Sequence, residues 1–366
     1  MADEATNRGA FRIQQHYCAH NAAPIYAAIN AALAEGLTRE TRTGARVLDW
    51  PGEPTRDAVP LRLIGGLHAL VLAGAAPALA EVFAGRVTDP AAIGAVLADT
   101  LRDHDEALYP WLDGPPQTNE PGRSGALMAG LLAVAARFGP RLEILEIGSS
   151  AGLNLLIDRY RIDLGGTVVG PADAGVTIVP DWRGPPPPAV DLRIESVRGC
   201  DVAPMDATDP AVERRLAAYI WAEAPERLAR VRGAIAMLRE RPVDLVAADA
   251  ADWVEARLAE PQAEGMVRVL MHSVVWQYLP EPVAERIRVA MAAAGARADA
   301  ARPLAWVAME PDRSLGHQAI RVRGWPGDTG WQVIATAHAH AAWIDADSPS
   351  ATGEGIALPD GAQVRV

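Results

Sequence analysis

The sequence predicts an α/β chain: a helical segment, then a mostly parallel sheet that closes with an antiparallel hairpin. Three observations carry this. Leu142, Ile144, Leu145 and Ile147 form a short apolar run ended by Gly148, the pattern of a buried strand running into a tight turn. Strand-like and helix-like stretches then alternate as far as residue 294, as in layered α/β domains. Leu304–Met309, Gln318–Val322 and Trp331–Ala337 follow as strand-like segments, with Pro326-Gly327-Asp328 in a connection.

Taken in order, residues 11–36 predict a helix with Ile13, Tyr17, Ile25, Ile29 and Leu33 on its apolar positions. Residues 61–84 predict a second, kinked at Gly65–Gly66 and interrupted near Pro77. Residues 91–112 predict a third. No strand pattern precedes Leu142, so 1–139 reads as a helical N-terminal domain or cap and 140–366 as the sheet domain. Pro115–Ser124 (PPQTNEPGRS) leads into an apolar helix, Ala126–Phe138. One reading is a solvated loop whose Asn119 or Ser124 caps that helix. The other is a pocket wall in which Gln117, Asn119, Glu120 and Arg123 bind substrate, because amide, carboxylate and guanidinium groups crowd there just before the Gly-rich turn.

The turn itself, Gly148-Ser149-Ser150-Ala151-Gly152, is followed by Leu153, Leu155, Leu156 and Tyr160 at helical spacing. A strand, turn and helix in that order aim backbone N–H groups and the positive end of a helix dipole at a ligand. A purely structural turn is the plain alternative. Residues 161–189, rich in Gly and Pro, read as an insertion, with a strand at Val176–Val179 and a turn at Asp181–Gly184. Val190–Val197 leads to Asp201, helices occupy 210–240 with a break near Pro225, and Pro242–Ala248 is a strand ending at Asp249. Met266–Val275 is the strongest strand, followed by Trp276–Pro280 and a helix over 281–294. Ligands of open α/β sheets bind beyond the carboxyl ends of the strands, which brings in His272, Ser273, Gln277 and Tyr278. A histidine serves as a base near neutral pH, and Gln and Tyr orient a substrate. His272 is equally readable as a satisfied core group, and Asp249 as a helix cap.

At 366 residues with half of them apolar, the chain is long enough for a large core. A net charge of −12 and a pI of about 5.2 argue against nucleic acid or an anionic membrane as partner. Two cysteines, Cys18 and Cys200, make neither a disulfide framework nor a cysteine zinc site. His338 and His340 alternate as on a strand face, but no third ligand accompanies them, so no metal is expected. The polar N-terminus and the short apolar run Leu67–Ala80 predict a soluble, cytoplasmic protein. Oligomeric state is not set by the sequence.

Glu146-x-Gly148-x-x-x-Gly152 resembles the nucleotide-binding turn of the class I methyltransferases, with Ser150 where the middle glycine usually stands. Val197-Arg198-Gly199-Cys200-Asp201 resembles the end of that family's second strand. The resemblance implies a Rossmann-like methyltransferase sheet and S-adenosylmethionine as cofactor. It places Glu146, Gly148, Ser149, Ser150, Gly152 and Asn154 around the methionine end, Asp201 on the ribose and Asp249 on the adenine. His272, with Tyr278 and Gln277, would deprotonate or orient a small-molecule acceptor. The same turn is also G-x-S-x-G, the nucleophile elbow of α/β-hydrolases, with Ser150 as nucleophile. That reading needs several strands ahead of the elbow, where this sequence has helices. A non-catalytic nucleoside-binding protein on the same scaffold is a third reading. Over nearly all its length the chain resembles an uncharacterised bacterial family, domain of unknown function 2332, through PPQTNEPGRSGAL, LEIGSSAGLNLL, DWRGPPPP, ADAADW and HSVVWQYLP. That likeness implies a methyltransferase-like domain behind a helical region.

Overall fold

The structure is a computed structural model and describes residues 3–347; the end of the sheet domain expected over 140–366 lies outside the described residues. Two compact units are present. One is formed by residues up to Thr118 together with Asp209–Ala229, the other by Asn119–Thr208 with the residues from Arg230 onward.

The first unit is helical. The helix expected over 11–36 is two, Glu4–His20 and Pro24–Gly36. Ala22 at φ 55° and Pro24 at the first turn of the second helix account for the break. The second expected helix is likewise split, into Val59–Leu72 and Pro77–Phe83, bent by 114° at the gap. Gly65 and Gly66 do not kink it. They permit close packing: a Cβ would lie 2.5 Å from Tyr219 Cε1 at Gly65 and 2.9 Å from Trp111 Cγ at Gly66. Phe11, Ile29, Leu33, Leu63, Ile64, Leu67 and Phe83 form the core. His68 is buried in it, bonded to the Tyr26 hydroxyl (3.0 Å) and the Ala218 carbonyl (3.1 Å), and burial pushes its pKa down to about 4. Among the described residues no single helix is long and apolar enough to cross a membrane.

The second unit is mixed α/β. Its strands are β1 (Arg141–Ile147), β2 (Arg161–Leu164), β3 (Thr167–Val169), β4 (Thr177–Ile178), β5 (Asp181–Arg183), β6 (Arg193–Asp201), β7 (Asp244–Ala247), β8 (Val267–Ser273), β9 (Leu304–Asp312), β10 (His317–Trp325), β11 (Gln332–Ala337) and β12 (Trp343–Asp345). The large sheet has the order β5-β12-β11-β10-β9-β8-β1-β6-β7. From β7 to β9 all neighbours are parallel, while β9, β10, β11 and β12 are antiparallel and β5 runs parallel to β12. Every residue of β8 is buried, as a central parallel strand covered on both faces requires. The helix Arg123–Phe138 covers one face, so closely that a Cβ on Gly130 would be 2.4 Å from Val307 Cγ1. Ala250–Ala259 and Glu281–Gly295 cover the other, packing on Leu145, Leu270, Trp306 and Ala308.

Three local expectations are corrected. No α-helix follows the Gly-rich turn. Leu153–Leu156 is a single 3-10 turn, and the chain then enters β2 and the small sheet β3-β2-β4. Residues 151–157 are all buried, so their apolar spacing reflects burial all round rather than one helical face. The buried Tyr160 hydroxyl donates to the Leu153 carbonyl at 2.6 Å, diverting it from a helical ladder. Asp181–Arg183, expected as a turn, is an edge strand because it pairs with Trp343–Asp345 far along the chain. The antiparallel end of the sheet is a four-strand meander, longer than one hairpin.

Candidate functional site

The strand order reverses between β1 and β8. Chain connections from β1 lead outward to β6 and β7 on one side, and β8 and β9 lie on the other. Ligands of open α/β sheets bind beyond the strand ends at such a reversal. The turn after β1 stands there, with Gly148, Ser150 and Gly152 at φ 66°, 55° and 75°. Left-handed φ costs a non-glycine residue about 1–2 kcal/mol, so Ser150 is held there by its surroundings.

Those surroundings are well defined. On the β8 side, Val275 fills the space beside Gly148: a Cβ there would be 2.2 Å from Val275 Cγ2. On the β6 side, Asp201 accepts the Ser150 N–H through Oδ2 (2.8 Å) and the Ala203 N–H through Oδ1 (2.9 Å). A Cβ on Gly199 would strike Ser149 Oγ at 2.3 Å. From below, Asn119 Oδ1 accepts the Leu153 N–H at 2.7 Å, and Ser124 Oγ donates to Asn154 Oδ1 at 2.8 Å. The second part of the PPQTNEPGRS stretch, residues 119–124, is therefore no solvated loop, whereas Pro115 and Thr118 are exposed. Asn119, Glu120, Arg123 and Ser124 are buried, and buried polar groups need partners. Glu120 accepts the Gly122 N–H (3.0 Å) and pairs with Arg230 (3.2 Å), and Arg123 donates to the Ala339 carbonyl (3.0 Å). The helix from Arg123 has no side-chain cap; Asn119 caps the 3-10 turn instead. Gln117 is half-buried and belongs to the first unit.

Glu146, near the end of β1, is 2% exposed. Burial pushes its carboxyl up to about 8; Asp201 adds to the rise, while the Ser149 hydroxyl and Arg123 oppose it. Its Oε2 has no hydrogen-bond partner, and neither does the buried Ser150 Oγ. Cys200, beside the turn on β6, is buried and pushed up to about 12 by that burial, so the thiol is inert. Val202, directly after Asp201, is 83% exposed. Asp249 is the N-cap of Ala250–Ala259, accepting the Ala251 and Asp252 N–H groups at 2.9 and 3.1 Å.

At the end of β8, His272 is fully buried. Its Nδ1 meets Glu310 Oε1 at 2.7 Å, its ring stacks on Trp276 at 5.1 Å, and its Nε2 has no partner. The same Glu310 oxygen accepts the Val275 N–H (3.0 Å) and the Trp276 N–H (3.2 Å). Val274 lies at φ 53°, an outlier for a β-branched residue that costs about 1–3 kcal/mol. Gln277 is half-buried and Tyr278 is 74% exposed. Glu310 was not singled out from sequence. The signal was present in LAWVAME, where one acid interrupts an otherwise apolar strand. His338 and His340 follow β11 in a loop, rings 5.2 Å apart, and no group of three metal-binding side chains occurs among the described residues.

Comparison with curated proteins and with solved structures finds no match. The family described as "Uncharacterized protein conserved in bacteria (DUF2332)" matches residues 8–346, and the chain belongs to that family.

Proposed function

We propose that this protein is an S-adenosylmethionine-dependent methyltransferase acting on a small molecule, and that its large sheet is of the Rossmann-like methyltransferase type. The observation that carries the reading is the joining of Asp201, at the end of β6, to the Ser150 N–H of the turn after the adjacent β1. It puts an acid at the end of the second parallel strand against a Gly-rich turn at the end of the first, the arrangement that dinucleotide folds use for a ribose beside a phosphate turn.

The residues suit that cofactor chemically. Each Asp201 oxygen accepts one backbone N–H and, with two lone pairs, keeps capacity for a ribose hydroxyl. Glu146 offers an unpartnered carboxyl oxygen toward a cationic amino group. Val202 offers exposed apolar surface beside Asp201. Bound S-adenosylmethionine supplies an electrophilic methyl group. The chain's own work is to orient the acceptor and exclude water, which is where positioning catalysis draws its rate. Asp249, at the end of the third parallel strand, caps the next helix through Oδ1 and in this reading takes the adenine amino group.

One observation favours a second reading. Ser150 has the strained positive φ of a nucleophile elbow. Against it, no strand precedes Arg141 among the described residues, no α-helix follows the turn, and Ser150 Oγ has no histidine within bonding distance.

Calorimetry of the full chain with S-adenosylmethionine and with its demethylated product tests the first reading. Asp201→Ala should weaken binding by about 1.5–3 kcal/mol, the range for hydrogen bonds to a charged group. Absence of binding by wild type at about 1 mM ligand, the scale of a −4 kcal/mol interaction, would refute it.

A further inference from the structure

Glu310 has no role in the reading above, yet it ties together three parts of the candidate site. It is fully buried on β9, and one oxygen, Oε1, takes the His272 Nδ1 and the N–H groups of Val275 and Trp276. A core histidine needs only a neutral carbonyl at Nδ1. A carboxyl buried here instead of a carbonyl does more: the same oxygen that fixes the ring at Nδ1 also holds two amides of the following turn. Arg321, itself buried and paired with Asp312, lies within electrostatic reach of Glu310 and offsets part of the cost of burying it. Above the ring, Trp276 stacks on His272 and Val274 sits in a strained conformation. Strain of this kind concentrates at clamps and switch segments.

We propose that His272 and Glu310 form a base–carboxylate pair beneath a cover made by Val274–Tyr278, with Glu310 as the positioning residue that both orients His272 and latches the cover. The proposal rests on the methyltransferase reading and narrows its substrate class to acceptors with a proton to lose: a hydroxyl, a thiol or an N–H. The acceptor's electron pair forms the new bond to the methyl carbon. The pair of the broken carbon–sulfur bond stays on sulfur. The acceptor's proton passes to His272 Nε2, leaving an imidazolium opposite Glu310. The latch also reaches the turn, because Val275, whose N–H Glu310 holds, is the residue packed on Gly148.

The test uses the full chain labelled with nitrogen-15, comparing wild type, Glu310→Gln and Glu310→Ala. Two-bond proton–nitrogen correlation of His272 should show hydrogen on Nδ1 in wild type; a bare Nδ1 overturns the pair. Amide exchange at Val275 and Trp276 should accelerate at least about tenfold in Glu310→Ala. Glu310→Gln, which keeps an acceptor oxygen at the same place, should restore the protection. Unchanged exchange in Glu310→Ala overturns the latch. Titration with the demethylated cofactor should show weaker binding to Glu310→Ala than to Glu310→Gln; equal affinity removes the link to the turn. If wild type itself binds no such ligand, the methyltransferase reading falls, while the tautomer and exchange results still decide the pair and its latch.

Discussion

Glu146 makes the turn's electrostatics measurable. Its carboxyl is pushed from the ordinary 4.5 up to about 8, first by burial and then by the charge of Asp201. An acid whose folded-state pKa is raised holds a proton that the unfolded chain has lost. Its contribution to stability is therefore fully present below about pH 4.5 and is lost as pH climbs through about 8. At about 1.4 kcal/mol per pH unit, the rise amounts to at most about 5 kcal/mol. Glu146→Gln keeps the shape and cannot ionise. Urea unfolding of wild type and variant, followed by a probe in the sheet unit, should give similar stabilities near pH 4 and a variant several kcal/mol more stable near pH 9. A carboxyl carbon resonance, assigned by its loss in Glu146→Gln, should titrate near 8. A cationic ligand favours the ionised carboxylate, so binding near neutral pH should release a proton from wild type and none from the variant. A stability difference that does not change with pH would refute the argument, since it would mean that Glu146 ionises equally in the folded and unfolded chains.

Three further outcomes are expected. Gly148→Ala combines φ 66° with a Cβ 2.2 Å from Val275 and should cost about 2–5 kcal/mol; adding Val275→Ala should recover about half, and no recovery would locate the cost elsewhere. Ser150→Gly relieves a left-handed serine and should stabilise by about 1 kcal/mol with cofactor binding kept; stoichiometric fluorophosphonate labelling at Ser150, absent from Ser150→Ala, would instead establish the hydrolase. His68, pushed down to about 4 by burial, makes the helical unit lose stability as pH falls from the ordinary 6.5 toward 4; His68→Gln should flatten that slope in acid unfolding followed by Trp221 fluorescence.

Local periodicity and the order of elements along the chain were readable before folding. The stretches at 142–147 and 266–275 are dominated by large apolar residues without strict alternation, and they were legible as strands that the fold buries almost throughout. The position of His272 near a strand end followed from the second of these, and that of Asp201 from the stretch beginning at Val190. The rest arises on folding, wherever a partner remote in sequence outweighs local preference. Arg183 belongs to a strand only because Asp345 lies beside it, and Leu153–Tyr160 is no helix because the small sheet and Tyr160 enclose it. Asn119 caps a turn more than thirty residues onward rather than its own helix. Glu310 stayed hidden in its strand for the same reason: its meaning lies in the histidine and the two amides that folding delivers to one of its oxygens, and no spacing along the chain encodes that meeting.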